Sequence, residues 1–188
     1  MKKYLHIALM LLCVFVVSSC KDDNDDSEAI EQAAYKLKNE TAFLEKAQDP
    51  SYVKWVSQAN IGYVFAKLIK KGDGKKVYFN SRVSVYYKGS LIDGTVFDKK
   101  LLEDGAPFKC AVNSYYANYN SYTGEGYMSV ISGWGVALQN MVEGDKYEIW
   151  IPQELAYGAS GQSTILPYST LIFELEVVSV DEQAATAS

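Results

Sequence analysis

Apolar and polar positions divide the chain into regimes of different period. From Ile7 to Val17 the residues are almost unbroken apolar, and from Lys21 to Glu28 (KDDNDDSE) there is no apolar side chain. From Ile30 onward Ala33, Ala34, Leu37, Thr41, Phe43 and Leu44 recur at three- and four-residue steps, which is helical. Ser27 reads as an N-cap and Asp49-Pro50 as a stop. A shorter apolar group follows at Tyr52, Val53, Trp55 and Val56, so the pattern predicts one or two amphipathic helices over residues 28–58. Their apolar stripe either docks on the following domain or pairs with another chain.

At Ile61 the pattern switches to strands. Tyr63, Phe65, Leu68 and Ile69 lead into the turn Lys71-Gly72-Asp73-Gly74. Further strands are predicted at Val77–Phe79, Val83–Tyr87, Val96–Asp98, Pro107–Val112 and Tyr147–Ile151, and a long one at Thr170–Val180 with Leu171, Phe173, Leu175 and Val177 on one face. One short helix fits Val136–Met141, ended by Gly144-Asp145. Asn113–Tyr127 (NSYYANYNSYTGEGY) has neither period and carries five tyrosines. It reads as a long surface loop whose rings either make adaptable contacts or pack on the domain. Asp181–Ser188 has no large apolar residue and should fray. The class is α+β, with an antiparallel sheet. In Val130–Phe173 large apolar residues stand among glycines, with Trp134 between Gly133 and Gly135, which suggests a concave apolar pocket facing Val83–Asp98.

Composition narrows what such a pocket can do. Lys2 and Lys3, the apolar run, and Val17-Ser18-Ser19-Cys20 read as a secretory leader, residues 1–19, too short for a comfortable membrane span. The last four resemble the bacterial lipobox, which implies cleavage before Cys20 and lipidation of that cysteine. The chain would then be a bacterial envelope lipoprotein of the outer membrane, facing the periplasm or the surface. Residues 20–28 form an acidic tether, either a spacer or an export signal. Loss of the leader leaves 16 Lys and Arg against 23 Asp and Glu, a net charge of −7, which disfavours nucleic acid. It also removes His6, the only histidine. Catalysis by Ser–His or Cys–His pairs and histidine-ligated metals are thereby excluded. Cys110 is left without a disulfide partner and reads as a small buried hydrophobe. The Lys71–Gly74 glycines lack a following helix and do not make a phosphate site.

Two ordered blocks carry a further resemblance. The first holds Tyr86-Tyr87-Lys88-Gly89, Leu91, Asp93-Gly94 and Val96-Phe97-Asp98. The second holds Val130-Ile131-Ser132-Gly133-Trp134, Gly144-Asp145, Ala156-Tyr157-Gly158 and Leu166-Pro167-Tyr168-Ser169-Thr170-Leu171-Ile172-Phe173. Together they resemble the FKBP-type peptidyl-prolyl cis-trans isomerases over residues 61–181. The resemblance implies a half-open antiparallel β-sheet wrapped around a short α-helix, here preceded by an N-terminal helical segment, residues 29–60. It implies Trp134 as the floor of a proline pocket and Tyr87, Phe97, Phe108, Val130, Ile131 and Phe173 as walls. Asp98 matches the rim aspartate, Tyr157 a hydroxyl donor, the Ile131 N–H a second donor, and Ile165 with Leu166 the flap. Implied catalytic residues are Tyr87, Phe97, Asp98, Ile131, Trp134, Tyr157 and Phe173; Phe108, Val130, Ile165 and Leu166 bind substrate. Implied partners are proline-containing polypeptides and immunophilin macrolides, with a homodimer through the N-terminal helices and membrane attachment through Cys20. No cofactor or metal is implied. The chain departs from the family pattern in four places, one of them Gln162 in the loop after Tyr157, where a histidine is common in some members. No arginine follows the first block, so Asp98 must rely on Tyr87 and on Lys99 or Lys100. The flap reads Ile165-Leu166-Pro167 rather than Ile-Pro-Pro. Residues 113–127 are inserted before Val130. The competing readings are a catalytically weak chaperone and a peptide- or glycan-binding surface lipoprotein on the same fold.

Overall fold

The computed structural model describes residues 23–183, with side-chain surroundings for 27–181. The predicted leader, the lipidated Cys20 and the last five residues of the tail lie outside the described residues. Among the described residues, those from Gln32 onward form one compact unit, which contains the whole sheet. Helix α1 is Asp23–Glu45, followed by a 3-10 turn at Lys46–Gln48. Strands are β1 (Val53–Val56), β2 (Tyr63–Lys70), β3 (Ser81–Ser90), β4 (Val96–Lys100) and β5 (Phe108–Ala111). Helix α2 is Ser132–Leu138, and β6 (Lys146–Ile151) and β7 (Leu171–Gln183) complete the order. The strands form one antiparallel sheet in the order β1-β2-β6-β7-β3-β4, with β5 also paired to β3.

The two faces of the sheet follow from residue alternation. One row runs Ala66–Ile149–Phe173–Gly89 across β2, β6, β7 and β3, and faces α2 and the main core. The neighbouring row, Phe65–Trp150–Ile172, turns to the other face. There Phe65 and Trp150 make a second cluster with Phe43 of α1. Helix α2 lies close against the inner face because glycine lets it. A Cβ on Gly133 would come within 2.3 Å of Ile151 Cγ2, and one on Gly135 within 2.8 Å of the Val112 carbonyl. Those two glycines bring Trp134, between them, down onto the sheet. At the far end the carboxylate of Asp145, fully buried, accepts from the N–H groups of Gly72 (2.8 Å) and Val142 (2.8 Å) and from Lys71 Nζ (3.0 Å). It ties the Lys71–Gly74 loop to the entry of β6. Cys110 is fully buried, and that burial pushes its thiol up to about 12, so it packs as a small hydrophobe.

Several expected boundaries move. The segment at Tyr52–Val56 is not helical. Val53–Val56 is edge strand β1, in register with β2 from Val53↔Ala66 to Val56↔Tyr63, and Trp55 packs on Tyr147 at 4.7 Å. The helical N-terminal segment therefore ends well before residue 60. A run this short, rich in β-branched and aromatic residues, is ambiguous by period alone, and an open sheet edge decides it. Helix α1 starts at Asp23, inside the expected tether and ahead of Ser27, as acidic residues at a helix N-terminus favour. Val77–Phe79 is not a strand; Val77 is buried and donates to the Met141 carbonyl before the turn into β3. Helix α2 begins at Ser132, earlier than expected, and so carries Trp134 itself. Strand β7 continues to Gln183, where the tail was expected to fray, because β3 still offers partners at Arg82 and Ser81. The docking face of α1 also differs. Tyr35, Asn39 and Phe43, at four-residue steps, meet the domain, while Leu37 and Leu44 are exposed.

Candidate functional site

A cavity of about 350 Å³ opens between α2, the inner face of the sheet and the loop after β6. Its floor is Trp134, 4% exposed. Three rings meet the indole edge-on: Tyr87 at 5.0 Å, Phe173 at 5.2 Å and Phe108 at 6.2 Å. Such T-shaped pairs are favourable, and together they fix the ring. The indole Nε1–H is buried without an acceptor among the described residues, so packing alone orients it.

The rim depends on a fault in the strand pairing. Gly89 of β3 faces Asp98 of β4, but the next residue, Ser90, faces Val96. Phe97 is the extra residue of a β-bulge. In a regular strand consecutive side chains point to opposite faces; here Phe97 and Asp98 both line the cavity. Gly89 lies under the two rings of the wall: a Cβ there would stand 2.6 Å from Phe97 Cζ and 2.7 Å from Phe173 Cε1. The Tyr87 hydroxyl donates to Asp98 Oδ2 at 2.7 Å. Burial first, and then this bond, raise the Tyr87 pKa well above the ordinary tyrosine range, so it remains a donor. Lys100 Nζ donates to the backbone carbonyl of Asp104 instead, and the Tyr87 hydroxyl holds Asp98.

Tyr157 closes the opposite side from a single turn after β6. Burial, then the Asp98 charge, raise its pKa too, and its hydroxyl has no partner among the described residues. The N–H of Ile131, the residue just before α2, is likewise without a backbone acceptor among them. The cavity thus presents two neutral donors and one carboxylate around an apolar floor. Among the described residues no cluster of three or more His, Cys, Asp or Glu is placed to hold a metal ion.

Nine of the residues singled out from the sequence come together here: Tyr87, Phe97, Asp98, Phe108, Val130, Ile131, Trp134, Tyr157 and Phe173. Ile165 and Leu166 do not. The Gln162↔Ile165 bridge turns Ile165 into the core, 7% exposed, and leaves Leu166 outside, 55% exposed. Ser129 and Ala156 line the cavity and were not assigned to it; Ala156 belongs to the Ala156-Tyr157-Gly158 motif, and Ser129 carries no signal beyond preceding Val130. The Tyr-rich segment is a surface excursion that leaves β5 and returns beside it through Ala111 N–H to the Met128 carbonyl. Tyr115 and Tyr122 stand in solvent. The excursion delivers Ser129–Ile131 to the rim.

Known proteins are similar to this chain in sequence and in fold. The profile of the family described as FKBP-type peptidyl-prolyl cis-trans isomerase matches residues 74–178. The chain is 41% identical over 115 residues to the FKBP-type 22 kDa peptidyl-prolyl cis-trans isomerase of Escherichia coli, covering 61% of this chain and 48% of that one. It thus spans about half the length of that relative. It is 34% identical over 177 residues to the macrophage infectivity potentiator of Trypanosoma cruzi, covering 93% of this chain and 79% of the relative. The crystal structure of FkpA from Escherichia coli superposes with a TM-score of 0.62 over 93% of this chain and 80% of that one; at 24% identity this likeness concerns the fold.

Proposed function

Because the chain belongs to the FKBP-type peptidyl-prolyl cis-trans isomerase family, we propose that it catalyses cis-trans exchange of X–Pro bonds in exported or envelope polypeptides. The observation that supports this best is the aromatic cavity floored by Trp134 and rimmed by the Tyr87–Asp98 pair.

Rotation about an X–Pro bond is opposed by amide resonance, a barrier of about 18–20 kcal/mol. Resonance places negative charge on the carbonyl oxygen, which water stabilises; the twisted amide has lost that charge separation. A dry apolar cavity therefore binds the twisted form better than the planar one, which is catalysis by differential binding. Trp134 takes the flat face of the prolyl ring, and Tyr87, Phe97, Phe108, Val130 and Phe173 surround it. Tyr157 Oη and the Ile131 N–H donate to peptide carbonyls and hold the chain while the bond turns. Asp98, oriented by Tyr87, supplies a fixed dipole at the rim. No bond is broken, so no nucleophile is needed. Leu166, exposed, acts in this reading as the flap residue that meets bound polypeptide while Ile165 anchors the flap in the core, and immunophilin macrolides compete for the cavity.

The same proposal places the protein in a bacterial envelope, on the outer membrane, through a lipid on Cys20; the leader and its lipobox resemblance support this. Leu37 and Leu44, exposed on α1, support a homodimer through the N-terminal helices. Labelled palmitate should enter the protein and fail to enter Cys20→Ser, and sedimentation should report a dimer that Leu37→Glu dissociates. Proline-limited refolding tests the activity. The wild-type protein should accelerate it and Trp134→Ala should not; a folded wild type without effect, or a Trp134→Ala variant of equal rate, refutes the proposal.

A further inference from the structure

Helix α1 grips the chain just beyond the flap. Asn39 is fully buried, and every group of its side chain is used. Its Oδ1 accepts from the Thr170 N–H at 2.9 Å, and its Nδ2 donates to the Tyr35 carbonyl at 3.0 Å. The Asn39 carbonyl accepts from Thr170 Oγ1 at 3.1 Å. One turn earlier, Tyr35 Oη lies 2.9 Å from Ser169 Oγ, which itself donates to the Leu166 carbonyl at 2.7 Å. Lys36 Nζ sits 5.0 Å from the centre of the Tyr168 ring, a cation–π contact. A buried asparagine paired across 131 residues of chain is costly to leave unpaired, so this contact is specific rather than incidental.

The gripped segment leads to the cavity by two routes. Tyr168 has φ +64°, a conformation a bulky residue adopts only when held, and its N–H donates to the Gly158 carbonyl at 2.8 Å. Gly158 follows Tyr157, which lines the cavity. In the other direction Thr170 enters β7, and Phe173 of β7 is a cavity wall. The grip has a firm base, since Phe43 of the same helix is seated on Phe65 at 5.0 Å. Helix α1 lies outside the segment 74–178 matched by the family profile.

We propose that α1 is a positioning element for the site, with Asn39 and Tyr35 as positioning residues that hold the Leu166–Thr170 segment and through it Tyr157 and Phe173. The proposal deepens the isomerase reading and rests on it. Asn39→Ala removes the acceptor of the Thr170 N–H, Thr170→Val removes the hydroxyl that donates to the Asn39 carbonyl, so each loosens the grip, and Thr170→Ser keeps that hydroxyl. Amide hydrogen exchange of the full chain reports the grip without reference to activity. In Asn39→Ala and Thr170→Val the amides of 156–161 and 166–170 should exchange about tenfold faster while those of β3 hold their rates. Thr170→Ser should match the wild type. With a prolyl peptide, KM should rise roughly 3–10-fold in the two loosened variants with kcat within about twofold. Unchanged exchange in both loops, or acceleration spread equally over β3, overturns the proposal. So does faster loop exchange with KM unaltered, or a Thr170→Ser that behaves like Thr170→Val. A wild type without isomerase activity refutes the functional reading instead, and the exchange result then still decides whether the grip exists.

Discussion

Replacing Tyr87 by phenylalanine deletes one oxygen and keeps the ring. The contacts of that ring with Trp134, Phe108 and Phe173, at 5.0, 5.6 and 6.3 Å, survive the change. What disappears is the 2.7 Å donation to Asp98 Oδ2. A hydrogen bond to a charged group contributes about 1.5–3 kcal/mol net. Two features push this one to the low end or below. Asp98 is exposed, so water replaces the lost donor, and Tyr87 is only 9% exposed, so phenylalanine buries no polar atom. The expected loss of stability is about 1–1.5 kcal/mol, read from urea unfolding at neutral pH. The effect on catalysis should be comparable, because the carboxylate is no longer held at one point of the rim. At about 1.4 kcal/mol per factor of ten, kcat/KM for a prolyl peptide should fall up to about tenfold. A stability loss with kcat/KM within twofold of wild type would sink the claim that Tyr87 orients Asp98 for the reaction. A loss above 3 kcal/mol would show instead that the oxygen supports the aromatic packing, which the geometry does not suggest.

Gly89→Ala should shift Phe97 and Phe173, whose ring atoms stand under 3 Å from the new methyl group. Overpacking of this kind costs about 1–3 kcal/mol; KM should rise severalfold, and an unchanged KM would mean the rings yield without altering the cavity. Asp145→Ala strands two backbone donors in a fully buried site and should destabilise by about 2–5 kcal/mol in urea; Lys71→Met leaves the buried carboxylate without its cation and should also destabilise, but by less, because the two N–H donors remain. Stability should decline above pH 9. Cys110 titrates near 12 in the folded protein against an ordinary 9.0, so in that window the unfolded chain sheds a proton that the folded one keeps. The contribution is fully present below pH 9 and declines by up to about 1.4 kcal/mol per pH unit above it. Tyr87 adds the same sign at higher pH, and Cys110→Ala should flatten the slope; a profile indifferent to that substitution would assign the decline to the tyrosines.

Legibility varied with how local the physics is. Alternation made β6 and β7 readable, because Leu171, Phe173, Leu175 and Val177 each need the buried face. The wall of the cavity was readable only through the resemblance of two ordered blocks to a known family, since Phe97, Phe108 and Phe173 taken singly read as core. Strand β1 was not, since Val53–Val56 has no preference strong enough to overrule the helix before it. The docking face of α1 was hidden for a different reason. Of the apolar stripe, Phe43 does face the domain but Leu37 and Leu44 do not, and Tyr35 and Asn39, outside the stripe, join the docking face through hydrogen bonds.

The order of residues by itself settles the class, the antiparallel strands of the core, the one short buried helix and the chemical character of the pocket, because burial and turn formation act over a few residues. Tertiary structure alone decides the rest. That Phe97 and Asp98 share one side follows from a bulge fixed by pairing with β3. That Ile165 turns inward while Leu166 stays in solvent follows from the bridge to Gln162. That a helix outside the family segment holds the chain beside the pocket follows from a hydrogen-bonded contact between residues 131 positions apart, which no local pattern encodes.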